Sequence, residues 1–231
     1  STDSSLEILE GYAKKDLRIR IFNQENKGPG PARNVALDNV RGKYILFCDA
    51  DDTLEPDACR QCCEIMENNQ VDIIVFNTQI IEDGRIDTLK QNSSGQYIYC
   101  VKSNNAGLLN KIGCLKVSVI TSVLGYCFRA DLIRRHKLYF KHYWAAEDSI
   151  FLYSYLMLIR KGYAVDKIFY NYYVHKGSLI DKAKEKIWRV KKIVYLCILL
   201  YETFLFALKN KMPFQEIYIF YWLFIWLKAR R

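Results

Sequence analysis

Three carboxylates stand within four residues of the sequence, in the segment Asp49-Ala50-Asp51-Asp52. Carboxylates this close repel one another, so a cation or a set of hydrogen-bond donors must offset their charge. A hard divalent ion such as Mg²⁺ binds one or two carboxylates together with substrate phosphates, and the Asp-x-Asp spacing aims two of them at one ligand. The alternative is an acidic helix start, which accounts for Asp52 but not for Asp49 and Asp51 as well. The segment therefore predicts a metal site.

Three further segments carry candidate groups. Lys27 and Arg33 belong to a Gly- and Pro-rich loop that leads into a predicted helix, where a phosphate or the acidic segment can be held; an ordinary surface turn is the alternative. Glu147 and Asp148 begin a predicted helix, where a carboxylate can act as a general base or can simply stabilise the helix start. His175 follows a Tyr-rich segment and is either a metal or phosphate ligand or a structural side chain.

Alternating strands and helices are predicted around these groups. Apolar runs at residues 44–48 and 71–78 predict strands buried on both faces, and the alternation at residues 17–22 predicts a strand with one exposed face. Predicted helices occupy residues 6–14, 32–39, 56–68, 118–137 and 147–161. Asp52 and Thr53 are expected to cap the third of these helices. The pattern indicates an α/β layered domain, in which ligands bind beyond the carboxyl ends of strands, where Asp49 lies.

The composition limits the classes of protein and partner. The chain of 231 residues is 51% hydrophobic and 26% charged, which is typical of an ordered domain with a substantial core. Its formal charge of +9 favours anionic partners. We expect no nucleic acid partner, because the cations flank apolar stretches and do not interleave with exposed aromatics. The eight Cys lack the second CxxC pair or the His spacing of a zinc site, so reduced thiols are expected.

The order and spacing of the motifs resemble a known family. Asn26-x-Gly-x-x-x-Ala-Arg-Asn, followed by the stretch from Gly42 through the acidic segment to Asp57, resembles the inverting family-two glycosyltransferases with the GT-A fold. Four other segments are similar to further motifs of that family: Ser1-Thr-Asp-Ser-Ser5, Tyr126-Cys-Phe-Arg-Ala-Asp-Leu-Ile133, Glu147-Asp148-x-x-Phe151 and Tyr170-x-x-Tyr-x-x-His-x-Gly-Ser178. The implied fold is α/β, a Rossmann-like layered mixed sheet with a C-terminal helical appendage.

The resemblance also implies a role for each matched side chain. Asp51 and Asp49 are expected to ligate Mn²⁺ or Mg²⁺ on the donor pyrophosphate, with His175 in the metal or phosphate shell. The nucleotide side of the pocket is expected to contain Asp49, Arg33, Asn34 and Asp3. Asp148 is expected to be the general base that deprotonates the acceptor hydroxyl, and Glu147 to orient the acceptor or that base.

The activity implied by the resemblance is metal-dependent sugar transfer with inversion, in the synthesis of a cell-surface polysaccharide or glycolipid. The donor is expected to be a UDP- or GDP-sugar and the acceptor a saccharide or a lipid-linked molecule. The first two strands of the family, which supply base-binding residues, are expected to precede Ser1. Two alternatives remain open: a nucleotidyl- or phosphotransferase with a similar acidic site, and a catalytically degenerate, membrane-associated scaffold of the same fold.

The C-terminal part of the sequence is apolar and basic. Residues 193–201, 204–208 and 217–227 are apolar stretches, each shorter than the roughly 20 residues that span a bilayer. Their flanking Lys and Arg, together with Trp and Tyr, are typical of a helix at an anionic membrane surface. Burial in a helical subdomain or a homodimer interface is the alternative. We expect a catalytic domain at residues 1–180, a membrane-associating or oligomerisation segment at residues 181–231, and a cytoplasmic protein peripheral on the inner face of the cell membrane.

Overall fold

The computed structural model describes residues 3–82, 85–87, 101, 106–111, 113–114, 122–143, 147–174, 188–213 and 215–217. The helices in these ranges are α1 (Ser5–Lys15), α2 (Pro29–Asp38), α3 (Ala58–Asn69), α4 (Ala130–His136), α5 (Glu147–Leu158) and α6 (Trp188–Lys209). The strands in the same ranges are β1 (Tyr44–Leu46), β2 (Thr53–Leu54), β3 (Ile73–Glu82), β4 (Arg85–Asp87), β5 (Gly107–Asn110), β6 (Tyr126–Arg129) and β7 (Lys161–Val174).

The described strands join one mixed sheet. Its main path runs β1-β6-β3-β7-β2, with β4 beside β3 and β5 beside β7. Strands β3 and β7 pair in parallel, from Ile73 opposite Gly162 to Glu82 opposite Val174. Strand β6 lies antiparallel between β1 and β3. The α/β architecture predicted from the sequence is therefore confirmed, and the chain leaves the carboxyl end of β1 just before Asp49.

Four phenylalanines form the part of the core that adjoins the acidic segment. We call Phe47, Phe128, Phe140 and Phe151 the aromatic cluster; all four are buried. The rings of Phe140 and Phe151 stack at a centroid distance of 4.3 Å, and Phe47 meets each of the other three edge-on at 5.3 to 5.8 Å. Phe47 precedes the acidic segment by two residues and Phe151 belongs to the first turns of α5. The cluster therefore fixes both segments against one another.

The prediction of a helix over residues 118–137 is wrong in its central part. Strand β6 occupies Tyr126–Arg129, and α4 begins only at Ala130. Tyr126, Cys127 and Phe128 are each 0% exposed. A short apolar run gives the same signal for a buried strand and a buried helix segment. The neighbouring strands decide between them here, because β1 and β3 both accept β6 as a ladder partner.

The strand predicted at residues 17–22 is also absent from the described structure, where this segment is irregular. Leu17 is 93% exposed and Phe22 is 44% exposed. A strand needs a neighbour to bond its alternating amides and carbonyls. No described strand pairs with this segment, so its alternating pattern is not sufficient to form one.

Helix α6 packs against α5 through one face. Leu199, Thr203 and Ala207 on that face are nearly fully buried. Glu202 ties α6 to the segment before α5, because its carboxylate accepts a hydrogen bond of 2.6 Å from the Tyr143 hydroxyl. Among the helices that the structure describes, none combines the length and the apolar character required to cross a membrane.

Candidate functional site

The acidic segment forms a tight turn that is anchored to β7. The Asp52 amide donates a hydrogen bond of 3.2 Å to the Asp49 carbonyl. The Tyr170 hydroxyl accepts a hydrogen bond from the Asp49 amide at 3.1 Å and donates one to Asp52 Oδ2 at 2.6 Å. Asp52 Oδ1 accepts a further hydrogen bond from the Tyr173 amide at 2.9 Å. Both oxygens of this buried carboxylate are therefore used to fix the turn.

The predicted capping role of Asp52 and Thr53 is consequently wrong. Helix α3 begins at Ala58, with Asp57 at its N-cap position. Thr53 lies in β2, opposite Asn171 of β7. The β2–β7 ladder draws the residues after the turn onto the sheet edge, which leaves Asp52 facing β7 and not the start of the helix.

A single guanidinium joins the acidic turn to α5. Arg33 Nη2 lies 2.6 Å from Asp49 Oδ1, and Arg33 Nη1 lies 2.6 Å from Asp148 Oδ1. The side chains of Arg33, Asp49 and Asp148 are 13%, 36% and 21% exposed. The structure thus brings together three of the predicted site residues from three separate elements, in a partly enclosed place at the carboxyl end of β1.

The position of Arg33 follows from the packing of α2. Asn34, the next residue, exchanges two hydrogen bonds with the backbone of Phe140, at 2.9 and 2.8 Å. The guanidinium carbon of Arg33 lies 5.3 Å from the centroid of the Phe140 ring. Gly30 is buried, and a Cβ there would lie 3.3 Å from Phe140 Cβ and 3.7 Å from Glu147 Cγ. Close packing at Gly30 therefore sets α2 against the start of α5.

Burial dominates the electrostatics of the acids on α5. It raises the pKa of Asp148, and the charge of Asp49 raises it further, while Arg33 and a hydrogen bond of 3.2 Å from the Ser122 hydroxyl act in the opposite direction. Burial also raises the pKa of Glu147. Burial lowers the pKa of Arg33, but attraction to Asp148 and Asp49 outweighs it and the net pKa is raised. Arg33 therefore stays protonated, and both acids bind protons more readily than usual.

The predicted metal ligands are only partly described by the structure. Asp49 is paired with Arg33, Asp51 is exposed in the same turn, and His175 lies outside the described residues. Within the described ranges, no three His, Cys, Asp or Glu side chains are arranged to hold a metal ion by themselves. Two carboxylates do fit a hard divalent ion that completes its shell with phosphate oxygens and water. They do not fit a closed structural metal centre.

Asp3 is not brought to these groups by any contact of the described residues. It is exposed, and its Oδ1 accepts a hydrogen bond of 3.1 Å from the Ser5 amide at the start of α1. Its predicted contact with the nucleotide stays a prediction.

Sequence reasoning missed three side chains that shape the site. Ser122 donates to Asp148, Phe140 supports Arg33, and Tyr170 holds the turn. Tyr170 belongs to a motif that the sequence reveals, but the partner of its hydroxyl is 118 residues away in the chain. Ser122 and Phe140 carry no such signal, since an isolated Ser or Phe is ordinary in a loop or a core.

Comparison with known proteins gives consistent matches. The sequence model described as "Glycosyl transferase family 2" matches residues 1–122. The putative glycosyltransferase EpsH of Bacillus subtilis is 26% identical over 205 residues, which cover 84% of this chain and 56% of EpsH. The poly(ribitol-phosphate) beta-glucosyltransferase of Bacillus spizizenii is 30% identical over 179 residues, which cover 75% of this chain and 25% of that enzyme.

Solved structures agree with the sequence matches. TarS 1-349 of S. aureus, in complex with UDP-GlcNAc, superposes with a TM-score of 0.64 at 21% identity, covering 87% of this chain and 54% of TarS. The chain therefore spans little more than half of EpsH and of this TarS structure. The superposition identifies the fold as GT-A, and the family match covers more than half of the sequence. The chain belongs to glycosyl transferase family 2.

Proposed function

We propose that the protein transfers a sugar from a nucleotide diphosphate sugar to an acceptor hydroxyl with inversion at the anomeric carbon. The observation that carries this proposal is the bridge of Arg33 between Asp49 and Asp148. Asp49 belongs to a turn with the composition of a metal and pyrophosphate site. Asp148 is a partly buried carboxylate with the character of a base. Because the Arg33 guanidinium contacts both carboxylates, Asp49 and Asp148 are close enough for the donor and the acceptor hydroxyl to bind next to one another.

Each side chain has a distinct part in the proposed reaction. Asp49 and Asp51 would hold Mn²⁺ or Mg²⁺, which supplies Lewis-acid stabilisation of the departing nucleoside diphosphate when bound. Asp148 removes the proton of the acceptor hydroxyl as that oxygen attacks the anomeric carbon from the face opposite the leaving group. Glu147, beside it on α5, orients the acceptor or the base. The sugar–phosphate bond breaks as the new glycosidic bond forms.

The relatives favour a class of substrate. TarS was solved with UDP-GlcNAc, and both TarS and the Bacillus spizizenii relative are described as poly(ribitol-phosphate) glycosyltransferases. We therefore propose a UDP-sugar before a GDP-sugar as donor, and a saccharide, lipid-linked or polyol-phosphate acceptor of the cell surface.

A panel of sugar nucleotides tests this function. With Mn²⁺ present, one of UDP-glucose, UDP-GlcNAc and GDP-mannose is expected to yield the nucleoside diphosphate, and a chelator is expected to abolish its release. The product anomer, read by NMR, is expected to be inverted relative to the donor. Release of sugar 1-phosphate would indicate the nucleotidyltransferase alternative, and release of nucleoside monophosphate would indicate transfer of a phospho-sugar. No turnover of any donor, with an acceptor panel present, would indicate a scaffold.

We also propose that α6 lies against an anionic membrane surface. The face of α6 opposite its buried face carries four partly exposed apolar side chains at helical spacing. We call them the exposed stripe: Tyr201, Phe204, Leu205 and Leu208. Exposed Lys209 and Lys211 follow this stripe. An apolar stripe next to cations suits the headgroup region of an anionic bilayer. Such a position would keep the transferase at the inner face of the cell membrane.

Vesicle flotation tests the membrane proposal. Binding is expected to vesicles that contain phosphatidylglycerol and not to vesicles of phosphatidylcholine alone. Leu205→Glu is expected to lower the partition several-fold, because it removes apolar area from the inserted face. Leu9→Glu on α1, where Leu9 is 46% exposed, is the matched control and is expected to have little effect. No flotation of the unaltered protein, or a homodimer that Leu205→Glu dissociates, would contradict the proposal.

A further inference from the structure

Arg33 forms ion pairs with the two carboxylates, of Asp49 and Asp148, that the proposed reaction needs. Asp49 Oδ1 faces Arg33 Nη2 and Asp148 Oδ1 faces Arg33 Nη1, each at 2.6 Å. We propose that Arg33 is an internal cation that holds both carboxylates in the donor-free protein, so that binding of a divalent ion at Asp49 and release of Asp148 are coupled. This inference rests on the proposed function, because it concerns the same two carboxylates.

The contacts of Asp148 explain why release is needed. Its Oδ1 is held by Arg33 and its Oδ2 by the Ser122 hydroxyl at 3.2 Å. An acceptor hydroxyl that donates its proton to Asp148 must therefore displace or share one of these donors. The contact of Arg33 is the one that a ligand at the acidic turn can change, because the same guanidinium also holds Asp49.

A divalent ion at the acidic turn acts on Arg33 in two ways. It takes the carboxylate of Asp49 as a ligand, and its charge repels the guanidinium that was paired there. Donor phosphates offer Arg33 a new, bidentate partner. The Cα of Arg33 does not have to move, because the side-chain nitrogen and oxygen of Asn34 both stay hydrogen-bonded to the backbone of Phe140. The guanidinium can change partners while α2 remains in place.

The coupling predicts that Arg33 weakens the binding of the ion when no donor is present. Two ligands that compete for one group affect one another reciprocally, and coupling of this kind commonly amounts to about 5–150-fold. We therefore expect Arg33→Gln to bind Mn²⁺ alone at least about fivefold more tightly than the unaltered protein. Calorimetry or the paramagnetic effect of Mn²⁺ on water relaxation measures this affinity without any turnover.

Arg60→Gln is the control for the loss of one positive charge. Arg60 is an exposed residue of α3 that pairs with Asp57 and Glu64. This variant is expected to bind Mn²⁺ as the unaltered protein does. Unchanged or weaker Mn²⁺ binding in Arg33→Gln, or no binding in either protein, would overturn the inference. A tightening of similar size in Arg60→Gln would also overturn it, because the effect would then be one of net charge.

Two further measurements hold even if Arg33→Gln does not fold. Arg33→Lys keeps the charge but cannot bridge two carboxylates in the same geometry, and it is expected to bind Mn²⁺ more tightly than the unaltered protein. In the unaltered protein, the Arg33 side-chain NMR signals are expected to shift on addition of Mg²⁺, which is diamagnetic, and again on addition of UDP. Signals that stay unchanged would count against the coupling.

These outcomes separate the inference from the proposed function. Tighter Mn²⁺ binding without sugar transfer would support the coupling and reject the transferase. Sugar transfer without any change of Mn²⁺ affinity in Arg33→Gln would support the transferase and reject the coupling.

Discussion

Asp148→Asn is expected to lower kcat for sugar transfer at least about 100-fold, because general-base assistance contributes about 10²–10⁴-fold and an amide cannot accept the proton. The substitution keeps the size of the side chain and leaves an oxygen that can accept a hydrogen bond from Arg33 Nη1. In the unaltered protein this nitrogen lies 2.6 Å from Asp148 Oδ1. Binding of the donor should therefore change much less than turnover. Steady-state rates with donor at saturation measure the effect.

The pKa of Asp148 gives this prediction a second readout. Burial raises this pKa, so the acid limb of the kcat/KM profile is expected at a higher pH than an ordinary aspartate would give. A carboxyl group whose pKa is higher in the folded than in the unfolded state stabilises the folded protein at pH values below the unfolded-state pKa. This stabilisation is lost as the pH rises through the folded-state pKa. At neutral pH the Asn variant lacks the desolvated charge, so its melting temperature is not expected to fall.

Asp57→Asn provides the control, since Asp57 is an exposed carboxylate that pairs with Arg60. It is expected to keep the rate and the pH profile of the unaltered protein. Near-normal turnover in Asp148→Asn would remove Asp148 from the role of base. Equal loss of turnover and of melting temperature would instead mean that the residue acts through the fold.

Phe151→Ala is expected to lower the free energy of unfolding by about 3–5 kcal/mol, the usual cost of removing a buried aromatic side chain. Phe151 is 1% exposed and its ring contacts the other three members of the aromatic cluster. The cavity would open between Phe47, two residues before the acidic turn, and the helix that carries Asp148. Denaturant unfolding at fixed protein concentration measures the change.

Phe151→Leu is the matched variant for this prediction. Leu fills most of the space, so its expected cost is below about 1.5 kcal/mol. If the two substitutions cost the same, the loss would come from the missing ring contacts and not from the cavity, which would contradict this prediction. At a temperature where Phe151→Ala is folded, its sugar transfer is expected to fall as well, because the cluster sets Asp49 and Asp148 against one another.

Local patterns in the sequence predict those parts of the site that depend on local chemistry. The apolar run at residues 44–48 correctly predicts a strand that ends before Asp49, although β1 ends at Leu46, two residues before the end of the predicted strand. Helix α5 begins at Glu147, as its sequence predicts. The meeting of Asp49 with Asp148 is not a local property. Only the resemblance to the glycosyltransferase family implies it, and nothing in the neighbourhood of either residue does.

Contacts between distant segments account for what the sequence could not predict. Asp52 looks like a helix cap from its neighbours, but its partners on β7 are 118 and 121 residues away. Tyr126–Arg129 looks helical until strands are present on both sides of it. In both cases a partner brought in by the sheet overrides the local preference, as tertiary context commonly does.

The parallel pairing of β3 with β7 has a consequence for how the protein folds. A parallel pair cannot form a hairpin, so β7 can join β3 only after the long connection between them has been closed. Pairings of this kind slow folding and are expected to form after local helices and antiparallel neighbours. Tyr170 and Tyr173, which hold the acidic turn, both lie on β7. The turn is therefore expected to be among the last parts of the molecule to become ordered, so partly folded chains would contain the paired strands β1, β6, β3 and β4 but no competent site.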